Sequence, residues 1–567
     1  MAGPLWRRVI RKLALWGLVT LAGAPLAAGL LGVVSPAFGL LPALGLVTPG
    51  FEAWTRLFDT PGLGRSTALS VGVGVSATAI AFVAAQAALA VSFSRGRSNR
   101  WESLAALSLA APHVSLAFAV AFLVAPSGLI ARLVSPIFGW DLPPGYPFPQ
   151  DPWGLSLIAG LALKELPFLY VVSAVAARAA APQTRLAVAA SLGYKPLRAW
   201  TLTVLPAIYA QVRLPVFIAL AYAVSSVDQA LVLGPTAPPT LSVRLLQWFS
   251  SPDLTQRLTL AAGALWLCAG ALAAFAVWRG LERFFGWRSR RLAALGARGR
   301  ISEPALRLLA LSAHGLLALA PLALGVLCLG AFAQDWRFPD LWPEGFGVDA
   351  ALRAWSSAGG AITATVWLSV VVACLAVSLA LMGLEASAER PVWRARLRIL
   401  MFAPLLIPEA ALLFGLNTAW SALRWDGAWP TVVQAHLLYA LPYAWLMIEG
   451  AHDGLDPRLS AAARTLGASR WAAFWRVRAP VLLGPACAAG ALAVVVSSAL
   501  YLPTVFAGAG RTPTLVTESL ALASGGDLRL IGALSLVQII LPLAALALAR
   551  VIPAALFAGR AGMRGGA

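Results

Sequence analysis

The chain has 567 residues, of which 60% are hydrophobic and only 12% are charged, and its formal net charge is +20. A soluble core does not use so large an apolar fraction, so the composition excludes a soluble globular protein and indicates a polytopic membrane protein. In a soluble domain the basic charge would suggest a nucleic-acid partner, so the positions of the arginines along the chain have to be considered first.

Apolar runs long enough to cross about 30 Å of hydrocarbon follow one another along the chain. The first follows the basic segment RRVIRK and is longer than the apolar region of a usual signal peptide, so we expect an uncleaved first helix. The fold class predicted is therefore all-α, with about twelve transmembrane helices. The predicted spans are 13–34, 66–92, 103–126, 154–178, 209–233, 258–278, 307–331, 358–384, 397–420, 431–451, 481–507 and 529–552.

The charged residues between these spans alternate in sign from one side of the membrane to the other. If the N-terminus is cytoplasmic, most of the lysines and arginines fall in cytoplasmic segments, and most of the loop acids fall outside. The positive-inside rule then predicts that both termini are cytoplasmic. Topology accounts for the net charge, and we expect no nucleic-acid partner. The outer acids are Asp141, Asp151, Asp335, Asp340, Glu344 and Asp349.

The two sets of six spans are related by an internal repeat. Gly193 and Gly467 are separated by the same number of residues as Pro206 and Pro480. Because six is even, both sets have the same orientation, which predicts two parallel six-helix repeats. The predicted domains are a first permease half at 1–278, a basic cytoplasmic linker at 279–306 and a second permease half at 307–567.

Two short basic segments occupy the same place in each half. They read LAVAASLGYKPLRAWTLTVLP at 186–206 and SAAARTLGASRWAAFWRVRAP at 460–480. In the second, Gly467 can end one helix in a left-handed conformation, Ser469 can cap the next, and Pro480 marks its exit. Such a hairpin could lie on anionic membrane lipid, but its presence in both halves favours docking to a two-fold partner.

The spacing of small residues, Gly and Pro in these segments resembles the EAA loop of ABC importer permeases. It stands here as AVAASLG at 187–193 and AAARTLG at 461–467, each with Pro thirteen residues after its Gly. In that family the loop contains the coupling helix, which sits in a cleft of the ATP-binding subunit. The Glu of the motif is replaced by Ala187 and Ala461, so one polar contact with the ATPase is in question. The residues that the resemblance assigns to ATPase coupling are Ala187, Ala189, Gly193, Trp200, Pro206, Ala461, Ala463, Gly467, Trp471, Phe474, Trp475 and Pro480.

The whole architecture is similar to the fused permeases of the thiamine and ferric-iron importers. The segment SSVDQALVLG, with Asp228, resembles their acidic segment after the EAA loop, whereas the second half reads SSALYLPTVFAG there. The resemblance implies a bacterial inner-membrane permease with two copies of a cytoplasmic ATP-binding subunit and a periplasmic solute-binding protein. It favours a thiamine-like cofactor, ferric iron or another small ion as solute.

Sequence motifs for catalysis and ATP binding are absent. None of the three lysines, Lys12, Lys164 and Lys195, follows a glycine, so the chain contains no P-loop. ATP must be bound by a separate subunit, and we expect no cofactor in this chain. The histidines have no metal-ligand spacing, no GxSxG nucleophile elbow occurs, and we predict that the chain is not an enzyme.

Ionisable residues inside the spans are costly to bury and are candidates for the translocation path. These are Lys164, Glu165, Asp228, Glu409 and His113, each of which could instead have a structural role in helix packing. The alternative function is a twelve-span ion-coupled secondary transporter. It would need no ATPase, and its coupling would depend on acids such as Asp228 or Glu409.

Overall fold

The computed structural model describes residues 4–42, 45–96, 98–298, 303–523 and 526–557. Within these residues the chain is helical almost throughout, and its strands are one antiparallel pair, β1 (Ala333–Gln334) and β2 (Gly345–Phe346). A helix satisfies its backbone N–H and C=O groups within one segment, as a hydrocarbon environment demands. The predicted all-α fold is confirmed.

The two halves repeat one order of elements: two long helices, a broken third helix, a fourth helix, a short hairpin and then further long helices. The first half contains α1 (Pro4–Ala37), α2 (Glu52–Phe58), α3 (Leu63–Ser94), α4 (Ser98–Leu109), α5 (His113–Val124), α6 (Leu129–Phe138), α7 (Leu155–Ala179), α8 (Pro182–Ser191), α9 (Pro196–Ala199), α10 (Leu205–Ser225), α11 (Asp228–Leu233), α12 (Leu241–Ser250) and α13 (Gln256–Ala294). The second half contains α14 (Glu303–Gly330), α15 (Asp349–Ser387), α16 (Pro391–Leu406), α17 (Glu409–Ala422), α18 (Trp429–Asp453), α19 (Pro457–Thr465), α20 (Arg470–Ala473), α21 (Ala479–Ala499), α22 (Leu502–Gly508), α23 (Leu515–Ala523) and α24 (Leu528–Leu556).

The number of membrane spans agrees with the prediction. Among the described residues, eleven helices are long and apolar enough to cross a membrane, and the bent pair α16 and α17 provides a twelfth. The third predicted span of each half is broken at a proline, Pro112 before α5 and Pro408 before α17. Proline has no N–H to continue the preceding helix, and the chain bends by 104° between α16 and α17.

Two predicted spans end earlier than expected. The span predicted at 209–233 ends at Ser225, and the span predicted at 481–507 ends at Ala499. The sequence stays apolar past both points. At the first break, the Ser226 carbonyl no longer has a partner within the helix, and it accepts a hydrogen bond from Ser242 Oγ at 2.9 Å instead. Asp228 therefore begins the short helix α11 instead of lying within the fifth span.

The first helix of each half packs on the other half. Helix α1 lies along α17, and α14 lies along α5. Glycines permit the closest approach, since a Cβ added at Gly415 would be 1.7 Å from the Gly29 carbonyl oxygen. Small residues allow helix backbones to come together in this way in membranes. Because the first helix of each half packs on the opposite half, the two halves form one bundle.

The segment between the halves begins as a helix. Helix α13 continues from its apolar part through the predicted linker at 279–306 as far as Ala294. Residues 299–302 of that linker lie outside the described residues. The helical part of the linker extends beyond the bundle beside the first basic hairpin, as described below.

Candidate translocation path and coupling loops

The two proline breaks and the break after α10 place three ionisable residues at the first position of a helix. His113 begins α5, Glu409 begins α17 and Asp228 begins α11. The first N–H groups of a helix have no partner inside the helix, and they favour negative charge nearby. This local geometry suits Asp228 and Glu409, whose carboxylates would otherwise be costly inside a membrane bundle.

Asp228 is buried and held by hydrogen bonds. Its Oδ1 accepts from Tyr222 Oη at 3.1 Å, from Ser226 Oγ at 3.0 Å and from the backbone N–H of Gln229 at 2.9 Å. A buried carboxylate with this many donors can remain in place without an ion-pair partner in contact. The arrangement fixes the position of one negative group at the break after α10.

Lys164 and His113 lie on the same side of the first half as Asp228. Lys164 Nζ donates to the Ala111 carbonyl at 2.5 Å, which ties α7 to the proline break before α5. The Lys164 ammonium also interacts electrostatically with Glu165 and with Asp228. The His113 ring lies 4.6 Å from the Tyr222 ring, and its buried Nδ1 has no hydrogen-bond partner among the described residues.

The second half contributes Glu409 and several tyrosines to the same region. Glu409 is half-buried and interacts electrostatically with Asp228 across the two halves. Tyr443 interacts electrostatically with both Glu165 and Glu409. The buried Tyr439 hydroxyl has no hydrogen-bond partner among the described residues. The structure therefore brings the five predicted path residues together in one central cluster.

Sequence reasoning missed the tyrosines of this cluster. Four of the chain's eight tyrosines are members, and a tyrosine at a membrane break or beside a span proline is the signal that could have identified them. Each supplies a polar hydroxyl on an aromatic ring. No group of His, Cys, Asp and Glu suited to a metal ion occurs in the part of the chain that the structure describes. The four tyrosines are Tyr222, Tyr439, Tyr443 and Tyr501.

The first basic hairpin, α8 and α9, is partly built into the bundle. Gly193 between the two helices has φ +81°, the left-handed conformation expected for a glycine at a helix end. Ala187 is exposed, whereas Ala189 is buried. We call residues 182–204 the first coupling loop.

Trp200 corrects one expectation for the first coupling loop. Its side chain is fully buried, stacks on Phe93 and donates from Nε1 to Gln86 Oε1 at 3.1 Å. The ring is thus unavailable to a partner and instead fixes the position of the loop on α3. Its burial follows from tertiary packing of the loop on α3, which the local sequence does not reveal.

Both hairpins continue into the next membrane helix through a wide π-helical turn, Trp200–Val204 in one half and Phe474–Arg478 in the other. Pro206 and Pro480 lie in the first turn of the helices that follow. A proline removes an N–H and its ring displaces the carbonyl four residues earlier, which favours a wider turn. The expectation that Pro480 marks an exit from the helix is therefore wrong, because the helical path continues through it.

The linker helix covers one side of the first coupling loop. The Lys195 backbone N–H donates to the Arg298 carbonyl at 3.3 Å, and Arg198 Nη2 donates to the Ser289 carbonyl at 3.2 Å. The Arg298 side chain lies against Gly193, where an added Cβ would be 3.3 Å from its Cδ. The first loop is thus held from one side by the bundle and from the other by the linker.

The second basic hairpin, α19 and α20, is much more exposed. No residue of α19 is buried, and Gly467, at φ +87°, has open space around it. The exposed fractions of Trp471 and Trp475 are 71% and 55%, and their rings meet edge to face at 5.5 Å. Ser469 Oγ accepts from the Ala472 N–H at 3.1 Å and caps α20 as predicted. We call residues 457–478 the second coupling loop.

The other predicted residues of the second coupling loop differ in exposure. Ala461 is exposed, while Ala463 and Phe474 are half-buried. Phe474 packs against the edge of Trp475, with the ring centroids 5.2 Å apart. The loop therefore presents a pair of tryptophans on a small aromatic base.

Comparison with known proteins agrees with this architecture. Residues 375–560 match the family described as binding-protein-dependent transport system inner membrane component. The chain is 31% identical to the inner membrane ABC transporter permease protein YnjC of Escherichia coli (strain K12) over 557 residues, which is 97% of this chain and 98% of that protein. It is also 33% identical over 102 residues, 18% of this chain, to 39% of the molybdate/tungstate transport system permease protein WtpB of Thermococcus kodakarensis. The chain is therefore a multi-pass member of the inner-membrane permease family of binding-protein-dependent ABC transporters.

Proposed function

We propose that this permease forms the solute path of an importer and couples it to two copies of a separate ATP-binding subunit, one on each coupling loop. The exposed Trp471 and Trp475 pair carries the proposal, because two adjacent tryptophans outside the bundle form an anchor typical of protein interfaces. The partner would bind the ATP, and this chain would need no cofactor of its own.

The proposed orientation places both termini and both coupling loops in the cytoplasm, with a periplasmic solute-binding protein on the opposite face. It is supported by the basic residues around the coupling loops and along the linker, and by the acids in the outer loops. Tags in the linker and in each coupling loop should react only from the cytoplasm. A tag beside Asp141 should react only from outside, and reversed labelling would contradict the orientation.

We assign the central cluster to the translocation path. It combines groups from both halves, Asp228 and Glu165 from one and Glu409 from the other, and alternating access requires a site shared between halves. Three carboxylates against the single ammonium of Lys164 favour a cationic solute, such as a thiamine-like cofactor or ferric iron. WtpB, in contrast, is named as a permease for molybdate and tungstate, which are oxyanions.

The solute can be identified without prior assumption. A solute-binding protein captured from cells by this permease should be purified and its bound molecule identified by mass spectrometry. A cation would agree with the charge of the central cluster. A bound oxyanion would contradict the assignment of Asp228 and Glu409 to the path, though not the role of the coupling loops.

The coupling assignment is tested by co-purification of an ATP-binding subunit with this chain from the cells that produce it. Replacing Trp471 and Trp475 with alanine should abolish recovery of that subunit, because buried aromatic anchors commonly cost about 2 kcal/mol or more when truncated. Trp287→Ala is the matched control, since Trp287 is an exposed tryptophan on the linker helix. Normal membrane insertion of all variants must be shown.

The outcomes separate two functions of the second coupling loop. Loss of the ATP-binding subunit only in the double variant supports docking. Full recovery by the double variant would mean that the loop lies on membrane lipid, and the proposed coupling site would be wrong. Transport that continues without any ATP-binding subunit would favour the ion-coupled secondary transporter, a function that no observation in the structure singles out.

A further inference from the structure

The second coupling loop is joined to the bundle by charged groups. Arg478, at the end of its π-helical turn, donates from Nη1 to Glu385 Oε2 at 2.9 Å, and its Nη2 lies 3.1 Å from His452 Nε2. Glu385 lies near the end of α15 and His452 near the end of α18. One guanidinium therefore connects the loop to two membrane helices at once.

The histidine at the centre of this contact is held on both sides. His452 is 4% exposed at its side chain, and its Nδ1 lies 3.3 Å from Asp453 Oδ1. Its Nε2 also lies 3.3 Å from Glu385 Oε1, and its Nδ1 lies 3.4 Å from Arg394 Nη2, so the ring contacts two arginines and two carboxylates. Arg394 on α16 completes the surroundings by pairing with Asp453. We call Glu385, His452 and Arg478 the ionic joint.

Among the described residues, the equivalent place in the first half has no such joint. Val204 stands at the end of that π-helical turn, where the repeat spacing places Arg478 in the other half, and it is fully buried. The first coupling loop is fixed instead by the buried Trp200 ring and by neutral hydrogen bonds through Gln86 to Ser173. The two loops thus have chemically different attachments to the bundle.

Position and burial indicate what the ionic joint can do. Arg478 and Glu385 are 23% and 30% exposed at their side chains, so their interaction is only partly screened by water. A planar guanidinium that contacts two groups fixes direction as well as distance. Along the chain, Arg478 of the joint lies between the exposed tryptophans and the membrane helix α21.

We propose that Arg478, Glu385 and His452 are positioning residues that transmit the movement of the second coupling loop to the membrane helices. This inference rests on the proposed function, since it presupposes an ATP-binding subunit on the loop. It adds that docking and transmission use different residues. Removing the joint should leave the partner bound but reduce the response of the bundle to ATP.

The test uses the full chain with its ATP-binding subunit in lipid nanodiscs. In a cysteine-free background, Asp141→Cys and Ser421→Cys place spin labels on outer segments of the first and second halves. The measured quantity is the fraction of molecules in which the distance between the two spin labels changes when ATP and vanadate are added. Recovery of the ATP-binding subunit is measured in the same preparations.

Arg478→Met should lower the fraction that responds to ATP by about fivefold, at the low end of typical coupling between sites, with recovery of the ATP-binding subunit unchanged. The charge-exchanged variant Arg478→Glu with Glu385→Arg should regain most of the response. Arg398→Met is the matched control, because Arg398 pairs with Glu449 between α16 and α18 without touching the loop. It should respond as the unmodified chain does.

The outcomes distinguish the two proposals. If the unmodified chain binds no ATP-binding subunit, the proposed function fails. If it binds and responds but Arg478→Met responds equally well, only the ionic joint is wrong. If Arg478→Met does not accumulate in the membrane, the charge-exchanged variant is compared with Arg478→Glu alone. A larger response to ATP in the charge-exchanged variant supports the ionic joint, and an equal response overturns it.

Discussion

The two coupling loops derive from one repeated sequence pattern but are attached to the molecule differently. The first is packed on α3 through Trp200 and is covered on one side by the linker, while the second extends from the bundle with Trp471 and Trp475 exposed. A tryptophan near the end of each loop is therefore a core residue in one half and a surface residue in the other. Duplicated motifs preserve the backbone path, and the surroundings decide what each side chain does.

The largest expected effect distinguishes the buried tryptophan from an exposed one. Trp200→Ala should destabilise the folded chain by about 3–5 kcal/mol, as for other buried aromatic side chains replaced by alanine. Trp471→Ala should leave stability nearly unchanged because its ring is 71% exposed. Thermal unfolding in detergent measures both, and equal unfolding temperatures would contradict the difference between the loops.

The second-largest expected effect comes from replacing Gly193 or Gly467, the two glycines with left-handed backbone conformation, by valine. Gly467→Val should strain its turn by about 1–2 kcal/mol and reduce recovery of the ATP-binding subunit accordingly. Gly193→Val creates the same strain, but contacts with the linker hold that loop in place, so its effect on recovery should be smaller. A larger loss from Gly193→Val would show that the first loop is the main docking site.

Salt should affect the second coupling loop more than the first. At about 0.5 M salt the Debye length is only a few ångström, so the partly exposed Arg478 and Glu385 pair should weaken. Limited trypsin cleavage at Arg464 and Arg476 should then increase relative to cleavage at Arg185. In Arg478→Met the ratio of the two cleavage rates should no longer depend on salt, and persistence of that dependence would point to another charged contact.

The smallest expected effect concerns the contact between the linker helix and the first coupling loop. Arg198→Ala removes one hydrogen bond to the Ser289 carbonyl, which is worth about 1 kcal/mol at a half-buried site. Hydrogen exchange of α9 should become severalfold faster, while recovery of the ATP-binding subunit should not change. Arg185→Ala, which removes hydrogen bonds to the Ala180 and Thr203 carbonyls and none to the linker, is the matched comparison.

Some of the central cluster could be predicted because burial of charge in a membrane is costly wherever it occurs. Lys164, Asp228 and Glu409 could be selected from the sequence for that reason alone. Their meeting across the two halves could not, since it depends on breaks at Pro112 and Pro408 that place helix starts in the interior. The tyrosines were missed because an amphipathic aromatic residue is equally common at a membrane surface.

By itself the sequence determined the membrane class, the number of spans, the repeat and the left-handed glycines, because each depends on local chemistry: apolar length, periodic spacing or backbone freedom. Other features became visible only in the tertiary structure. Helices α1 and α14 each pack on the opposite half, Trp200 is buried while Trp471 is exposed, and Arg478 contacts Glu385 and His452. These outcomes depend on which distant segment occupies the space beside a residue. No local pattern specifies that neighbour, so two motifs with the same spacing acquired different surroundings.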